Sequence, residues 1–312
     1  MREPSGMDAS PTLDIALPEG LAARPFTAAD VSPFVTLVRA TEALDAGEAL
    51  IEDADVSAEW RGPSLDLARR SIGVYRGETL VAGGFLRPSD TGLLAVHPDH
   101  RGQGIGTALL AWARRTVARD GGTTHGQSVP VGSTAEELLV DAGGRATYDA
   151  WILELPADSP VPTGVPSGYE LGLARAEELP DVHRVVETAF GEWEGRRPVG
   201  YEDWRASFVE RDDAAPWHLQ VARDGSGQVV GVAIVTGAEG DVAFVHELAV
   251  DREHRGRGLG AALLGVAYAT GRERGLPVGQ LSTDSRTGAL GLYEHIGMHV
   301  TSTWRHLELD AG

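Results

Sequence analysis

Apolar positions follow the same order twice along the chain. Residues 71–86 and 218–235 both read as a strand, a glycine-containing turn and a second strand. A further apolar run follows in each half, at 93–96 and at 242–250, and it predicts another strand. The chain therefore reads as two copies of one unit that is rich in hairpins.

A glycine-rich phrase follows the last of these strands in both halves, HPDHRGQGIG at 97–106 and DREHRGRGLG at 251–260. Behind the second phrase, Leu259, Leu263 and Val266 recur at helical spacing. Each phrase is thus predicted to lie where a strand leads into a helix. The free N–H groups of a first helical turn attract anions, and glycines let the backbone approach a ligand, so the phrase indicates a diphosphate site.

The two halves stay in register over a long stretch. An offset of 154 positions carries Val96 onto Val250 and the LEL of 153–155 onto the LEL of 307–309. A period of this length indicates duplication of a whole domain and not a solenoid. We predict four segments: a flexible N-terminal tail (1–18), an N-terminal domain (19–156), a Pro-rich linker that acts as a semi-stiff spacer (157–168) and a C-terminal domain (169–312).

Composition narrows the possible functions. The net charge of −19 disfavours nucleic acid as a partner. The chain has no Cys, which excludes disulfides and thiolate metal sites, and all 27 basic residues are Arg, which excludes a Walker A loop. No apolar run reaches the roughly 18 residues of a membrane span, and no signal peptide is recognised. We expect a cytoplasmic protein with neither a membrane nor a metal as partner.

The glycine phrases resemble the acyl-CoA-binding motif of the GNAT N-acyltransferase superfamily: Arg or Gln, two residues, Gly, one residue, then Gly or Ala. Arg101, Gly104 and Gly106 fill this motif in the first half. In the second half the resemblance assigns the cofactor to Leu248, Val250, Arg255, Gly256, Arg257, Gly258, Leu259, Gly260 and Asp284. It implies an α/β (α+β) fold of two tandem GNAT-like domains, each a mixed, mainly antiparallel twisted sheet flanked by helices, with acetyl-CoA as cosubstrate.

A second stretch, STDSRTGALGLYEHIGM at 282–298, resembles another signature of this family, N-x-x-A-x-x-L-Y-x-x-x-G-F/M. Ala289, Tyr293 and Gly297 match it, whereas Asp284 or Ser285 stands where the family often has Asn. The resemblance implies that Tyr293 protonates the departing CoA thiolate, which a phenol with a pKa of about 10 can do. The tandem arrangement is similar to that of mycothiol synthase-like acetyltransferases.

A general base has to deprotonate the acceptor ammonium before it attacks the thioester. His246 and Glu247, in the strand before the second glycine phrase, are the candidates. They point to opposite faces of a regular strand, but strands at this place are often bulged in the family, so the choice stays open. The family mechanism would stabilise the oxyanion with a strand amide near Leu248.

The offset of 154 maps Tyr293 onto Leu139, His246 onto Gly92 and Glu247 onto Leu93. The first half thus keeps the glycine loop and loses the reacting groups. We expect a catalytic C-terminal domain and a degenerate N-terminal domain that is structural or still binds CoA. The expected function is direct acetyl transfer from acetyl-CoA to the primary amine of a small molecule.

The alternative function is a non-catalytic acyl-CoA-binding or scaffold protein. The aromatic-rich stretch 190–208 either lines an acceptor pocket, through Trp193, Tyr201 and Trp204, or packs the halves together. Its acidic residues, among them Glu194, either attract a cation or form a solvated helix face. The oligomeric state is open, and a monomer is compatible with a repeat that supplies its own pseudo-dimer.

Overall fold

The computed structural model describes residues 13–193, 196–238 and 241–312. Its α-helices are α1 (Val31–Asp45), α2 (Asp53–Arg61), α3 (Leu67–Arg70), α4 (Ile105–Arg119), α5 (Thr134–Asp141), α6 (Leu179–Phe190), α7 (Tyr201–Phe208), α8 (Leu259–Glu273) and α9 (Leu290–Ile296). Within these ranges no helix has the length and apolarity that crossing a membrane requires.

The strands are β1 (Ala22–Arg24), β2 (Ser71–Arg76), β3 (Thr79–Leu86), β4 (Thr91–Val96), β5 (Thr124–Pro130), β6 (Arg145–Leu155), β7 (Tyr169–Leu173), β8 (Leu219–Asp224), β9 (Val229–Ala238), β10 (Val242–Val250), β11 (Val278–Asp284) and β12 (His299–Asp310). They form one sheet in the order β1-β2-β3-β4-β5-β12-β6-β11-β10-β9-β8-β7. Neighbours run antiparallel except for β4 beside β5 and β10 beside β11, which are parallel. The predicted mixed, mainly antiparallel α/β fold is confirmed.

The two halves exchange strands at the centre of the sheet. β6, the last strand of the first half, lies between β12 and β11 of the second half. The other edge of β12 pairs with β5, from Trp304 opposite Pro130 to Asp310 opposite Thr124. The boundary drawn between domains 19–156 and 169–312 therefore does not separate two closed sheets, because each half is completed by the last strand of the other.

Helices cover both faces of the sheet in each half. On β9, Ile234 belongs to the core under α6 and α7, whereas its neighbour Val235 belongs to the core under α8. This alternation places the two cores on opposite faces. The first half repeats the arrangement, with α4 on one face and α1 and α2 on the other.

The part of the predicted N-terminal tail that the structure describes is packed. Leu13, Ile15 and Leu17 lie against the core beside α4, and the Arg115 guanidinium donates to the backbone carbonyl of Asp14 at 2.7 Å. Residues 13–17 of the segment predicted as a tail thus contact the first half. Residues 1–12 of that tail lie outside the described residues.

The Pro-rich linker is packed as well. Val161 contacts the core under α8. A Cβ added to Gly265 of α8 would lie 2.0 Å from the carbonyl oxygen of Pro162. The segment 157–168 is thus a strap held against α8, and it differs from the predicted spacer because a glycine on the helix lets its backbone come close.

Gly265→Ala is expected to lower the free energy of unfolding by about 1–3 kcal/mol, the usual cost of overpacking, because the new methyl group displaces the strap. Urea denaturation measures the change. Gly291→Ala is the matched control, since Gly291 is also helical and a Cβ there meets nothing within 4 Å. The control is expected to gain up to about 1 kcal/mol from helix propensity. A gain of stability in Gly265→Ala would contradict the strap.

Candidate active site

The ladder between β9 and β10 contains one extra residue. Val245 pairs with Val235 and Glu247 with Ile234, so His246 is the residue of a β-bulge. Bulges of this kind re-aim side chains and are common next to active sites.

The bulge turns both candidate bases toward the same face. Before it, Val245 packs into the core under α8, and after it Leu248 does the same. His246 and Glu247 lie between them on the other face, where the ring of His246 contacts Phe208 of α7 with centroids 6.0 Å apart. The opposite orientation that a regular strand would give therefore does not occur.

The first half lacks this bulge. Leu86 pairs with Gly92 and Phe85 with Leu93 in an unbroken register. Glu247 corresponds to Leu93, as the offset of 154 indicates, but His246 has no counterpart. The alignment of His246 with Gly92 is wrong by one position, because the offset changes at an inserted residue.

Among the described residues, the ring of His246 has one hydrogen-bond partner. Its Nε2 lies 2.8 Å from the Oγ1 of Thr236, and the ring of Phe244 packs edge-on at 4.9 Å between centroids. Burial lowers the pKa of His246 to about 4. The imidazole is therefore neutral at pH 7.

Burial shifts the pKa of Glu247 in the opposite direction. Burial raises its pKa to about 7. Its Oε2 is buried and has no hydrogen-bond partner among the described residues. A carboxylate with such a pKa is matched to accept a proton near neutral pH.

A cavity of about 760 Å³ lies between the two halves beside the bulge. His246, Phe208 and Arg211 line it from the second half, and Asp55 and Glu59 are among the residues that line it from the first. Arg211 connects the two halves across this cavity, since its Nη1 donates a hydrogen bond to Oδ1 of Asp55 at 2.8 Å.

The aromatic-rich stretch 190–208 both lines this cavity, through Val199 and Phe208 among others, and contacts the first half. Trp204 is buried in the core under α6 and α7. Asp203, one residue earlier on α7, accepts two hydrogen bonds from Ser64 of the first half. Glu192 forms an ion pair with Arg255, while Glu194 lies outside the described residues.

On the opposite face, β10 and β11 form a cleft. Their pairing ends at Val245 opposite Leu281, and beyond this point the strands diverge. The second glycine phrase follows, with Gly256 at φ +72° and Gly258 at φ +83°. The backbone N–H groups of residues 256–261, in this loop and the first turn of α8, make no hydrogen bonds to described residues. This cradle fits the diphosphate of an acyl-CoA.

The arginine side chains of this loop brace it from outside. The Nε of Arg255 donates to the Val250 carbonyl at 2.9 Å, and its Nη1 donates to Glu192 at 2.8 Å. Arg257 donates to the hydroxyl of Tyr169 at 3.0 Å. In the first half the guanidinium of Arg101 forms a bidentate pair with Asp45, at 2.7 and 2.8 Å.

Tyr293 lies across the cleft from this loop. It sits on α9, is 7% exposed and shares the core under α8 with Leu259, Leu248 and Val250. The glycine loop is close to α9 as well: a Cβ added to Gly260 would lie 3.9 Å from Leu248 and 3.9 Å from Leu292, the residue before Tyr293. Burial raises the pKa of Tyr293 to about 12, so the phenol keeps its proton.

The carboxylate of Asp284 accepts hydrogen bonds from Arg286, two residues further along the chain. Its carboxylate accepts from the backbone N–H of Arg286 at 2.9 Å and from the guanidinium of the same residue at 2.6 Å. That guanidinium stacks over the ring of Tyr148, 3.7 Å from its centroid. Tyr148 and Thr236 were missed from the sequence, because neither lies in a motif or beside one.

Comparison with known proteins adds an independent finding. Residues 179–298 match the acetyltransferase (GNAT) family, and residues 68–138 match an acetyltransferase (GNAT) domain. A mycothiol acetyltransferase of Salinispora arenicola is 34% identical over 218 residues, which are 65% of this chain and 68% of the relative. A mycothiol acetyltransferase of Thermobispora bispora is 29% identical over 298 residues, 87% of this chain and 93% of the relative. The chain belongs to the GNAT acetyltransferase family.

Solved structures agree with this assignment. A GCN5-related N-acetyltransferase from Sphaerobacter thermophilus superimposes with a TM-score of 0.75 at 26% identity, covering 95% of this chain and 97% of that one. A tandem GNAT protein from the clavulanic acid biosynthesis pathway shares the fold, with a TM-score of 0.69 at 21% identity and 94% and 99% of the chains covered. This GNAT protein is thus an acetyl-CoA-dependent N-acetyltransferase with a small-molecule acceptor, and the non-catalytic alternative is not favoured.

Proposed function

We propose that the C-terminal half transfers the acetyl group of acetyl-CoA to a primary amine that enters from the cavity between the halves. The observation that carries this proposal is the bulge, which brings His246 to the wall of that cavity at the level where β10 and β11 diverge. In this proposal the acetyl group and the amine meet at the gap between these two strands.

On the cofactor face, acetyl-CoA supplies an activated acyl thioester. The free N–H groups of residues 256–261 bind its diphosphate. The diverging edge of β10 beside Leu248 and Val250 binds its amide-bearing arm. The same edge directs the N–H of Leu248 toward negative charge that develops on the carbonyl oxygen.

On the acceptor face, His246 contacts the amine and Glu247 takes its proton. The amine nitrogen then attacks the carbonyl carbon, the carbon–sulfur bond breaks, and Tyr293 donates its proton to the sulfur. The nitrogen releases its second proton as the amide forms, and a proton returned from solvent restores the Tyr293 phenol. The pKa of about 7 for Glu247 and about 12 for Tyr293 put the base and the acid in their working protonation states at neutral pH.

The acceptor class is a small amine that meets a partly acidic wall. The lining of the cavity holds five acidic residues against three arginines, and this net negative balance favours a protonated amine as it approaches: Glu42, Glu52, Asp55, Glu59 and Asp203 against Arg87, Arg197 and Arg211. Because relatives carry the name mycothiol acetyltransferase, an amine precursor of mycothiol is the first acceptor to test.

The test measures CoA thiol release with a mycothiol precursor amine, an aminoglycoside, a polyamine and a peptide N-terminus. With the best acceptor, Ser207→Trp is expected to raise the acceptor KM by about tenfold or more, because Ser207 lines the cavity and the larger ring narrows it. The KM for acetyl-CoA is expected to stay unchanged. An unaltered acceptor KM, or an increase only in the KM for acetyl-CoA, would contradict entry through the cavity.

A further inference from the structure

The two clefts differ at the point where their parallel strands separate. β4 and β5 pair at Thr91–Gly126 and at Gly92–Gln127, and then they diverge. The side chain of Gln127, 6% exposed, spans the gap, and its Nε2 donates to the carbonyl oxygen of Leu94 at 3.1 Å. A cavity of about 470 Å³ lies here, lined by Gln127, Leu94 and the first glycine loop.

The second half has no such bridge. The last pair of its parallel ladder is Val245–Leu281, so Leu281 occupies the place of Gln127. Leu248 occupies the place of Leu94, since Ala233 pairs with Leu248 as Gly84 pairs with Leu94. Leu281 is apolar and 2% exposed, so it cannot donate a hydrogen bond to the backbone of Leu248.

The glycine loops themselves do not distinguish the halves. Gly104 has φ +79° and Gly258 has φ +83°. The N–H groups of residues 102–107 are as free of hydrogen bonds to described residues as those of 256–261. Both loops can therefore bind a diphosphate. The two clefts differ instead at the strand edge, where one half has Gln127 and the other has Leu281.

A free strand edge binds an extended amide chain by adding it to the sheet, because each amide finds an N–H or C=O partner. The pantetheine arm of CoA is such a chain. In the first half the carboxamide of Gln127 already donates to the carbonyl oxygen of Leu94, so an amide N–H of the arm would have to displace it. We propose that Gln127 excludes the pantetheine arm and so restricts acyl-CoA binding to the C-terminal half; this rests on the proposed function, which sets the cosubstrate.

Isothermal titration with CoA tests the proposal on the full chain. Wild type is expected to bind one equivalent, and Gln127→Leu is expected to reveal a second site with affinity raised by about tenfold or more, an effect of about 1.4 kcal/mol. The reciprocal variant Leu281→Gln is expected to weaken the existing site by about tenfold or more. Gln127→Met is a second unbridged variant should Gln127→Leu not fold.

Adenosine 3′,5′-bisphosphate is the control ligand, because it carries phosphates but no amide arm. Its binding is expected to be the same in wild type and Gln127→Leu. Two equal CoA sites in wild type, or one unchanged site in a folded Gln127→Leu, would overturn the inference. Absence of any CoA binding would overturn the proposed function with it. Normal CoA stoichiometry without turnover on any amine would count against the proposed function alone.

Discussion

Tyr293→Phe is expected to lower kcat by about 10²–10⁴-fold, the usual contribution of a positioned general acid. The substitution removes only the hydroxyl from a side chain that is 7% exposed, so the core under α8 keeps its packing. The departing thiolate then has no proton donor at this position. Steady-state release of CoA with a saturating amine measures the loss, and CoA affinity is expected to stay within about twofold of wild type.

Leu139→Met is the matched control for this experiment. Leu139 lies on α5 at the place that corresponds to Tyr293 and is 3% exposed. A volume-conserving change there costs less than about 1.5 kcal/mol of stability and is expected to leave kcat unchanged. Full turnover in Tyr293→Phe would show that another group donates the proton. A large loss in a folded Leu139→Met would place the chemistry in the first half.

The dependence of kcat/KM on pH is expected to follow the ionisation of Glu247. Glu247 has to be ionised to accept the proton of the amine, and burial raises its pKa to about 7. We therefore expect kcat/KM to fall about tenfold for each pH unit below this pKa and to level off above it. Glu247→Gln is expected to lower kcat/KM by about 10²–10⁴-fold at pH 8 and to abolish this acidic limb.

His246→Asn separates the two candidate bases. The pKa of His246 is lowered to about 4, so it stays neutral between pH 5 and 8 and cannot produce a limb near 7. The variant is expected to raise the acceptor KM and to leave the limb in place. A limb near pH 4 that persists in Glu247→Gln would make His246 the base. Two acceptors with different amine pKa values identify any limb that belongs to the acceptor.

Local signals in the sequence sufficed to place both glycine phrases between a strand and a helix. Each depends on residues within about one helical turn or one motif, where spacing and glycine content carry the information. The twofold repeat of the fold followed from the offset of 154 for the same reason.

Features that depend on distant residues could not be read in this way. The bulge is one inserted residue. An ungapped offset aligns His246 with Gly92, whereas comparison of the two ladders shows that Gly92 of the first half corresponds to Val245 of the second. The bridge from Gln127 to Leu94 joins residues 33 positions apart. The exchange of β6 and β12 joins residues still further apart, and backbone hydrogen bonds between strands leave no periodicity that identifies the partner.

The exchanged strands also bear on how the chain is synthesised and cut. β12 follows the other strands in chain order, so the ribosome delivers the partner of β5 last. Until then the first half presents an unpaired strand edge, which is the kind of surface that drives aggregation. Contacts of such long sequence separation also slow folding. A protease cut or gene split in the linker would leave each fragment with the wrong closing strand, so the two halves of this acetyltransferase are one folding unit.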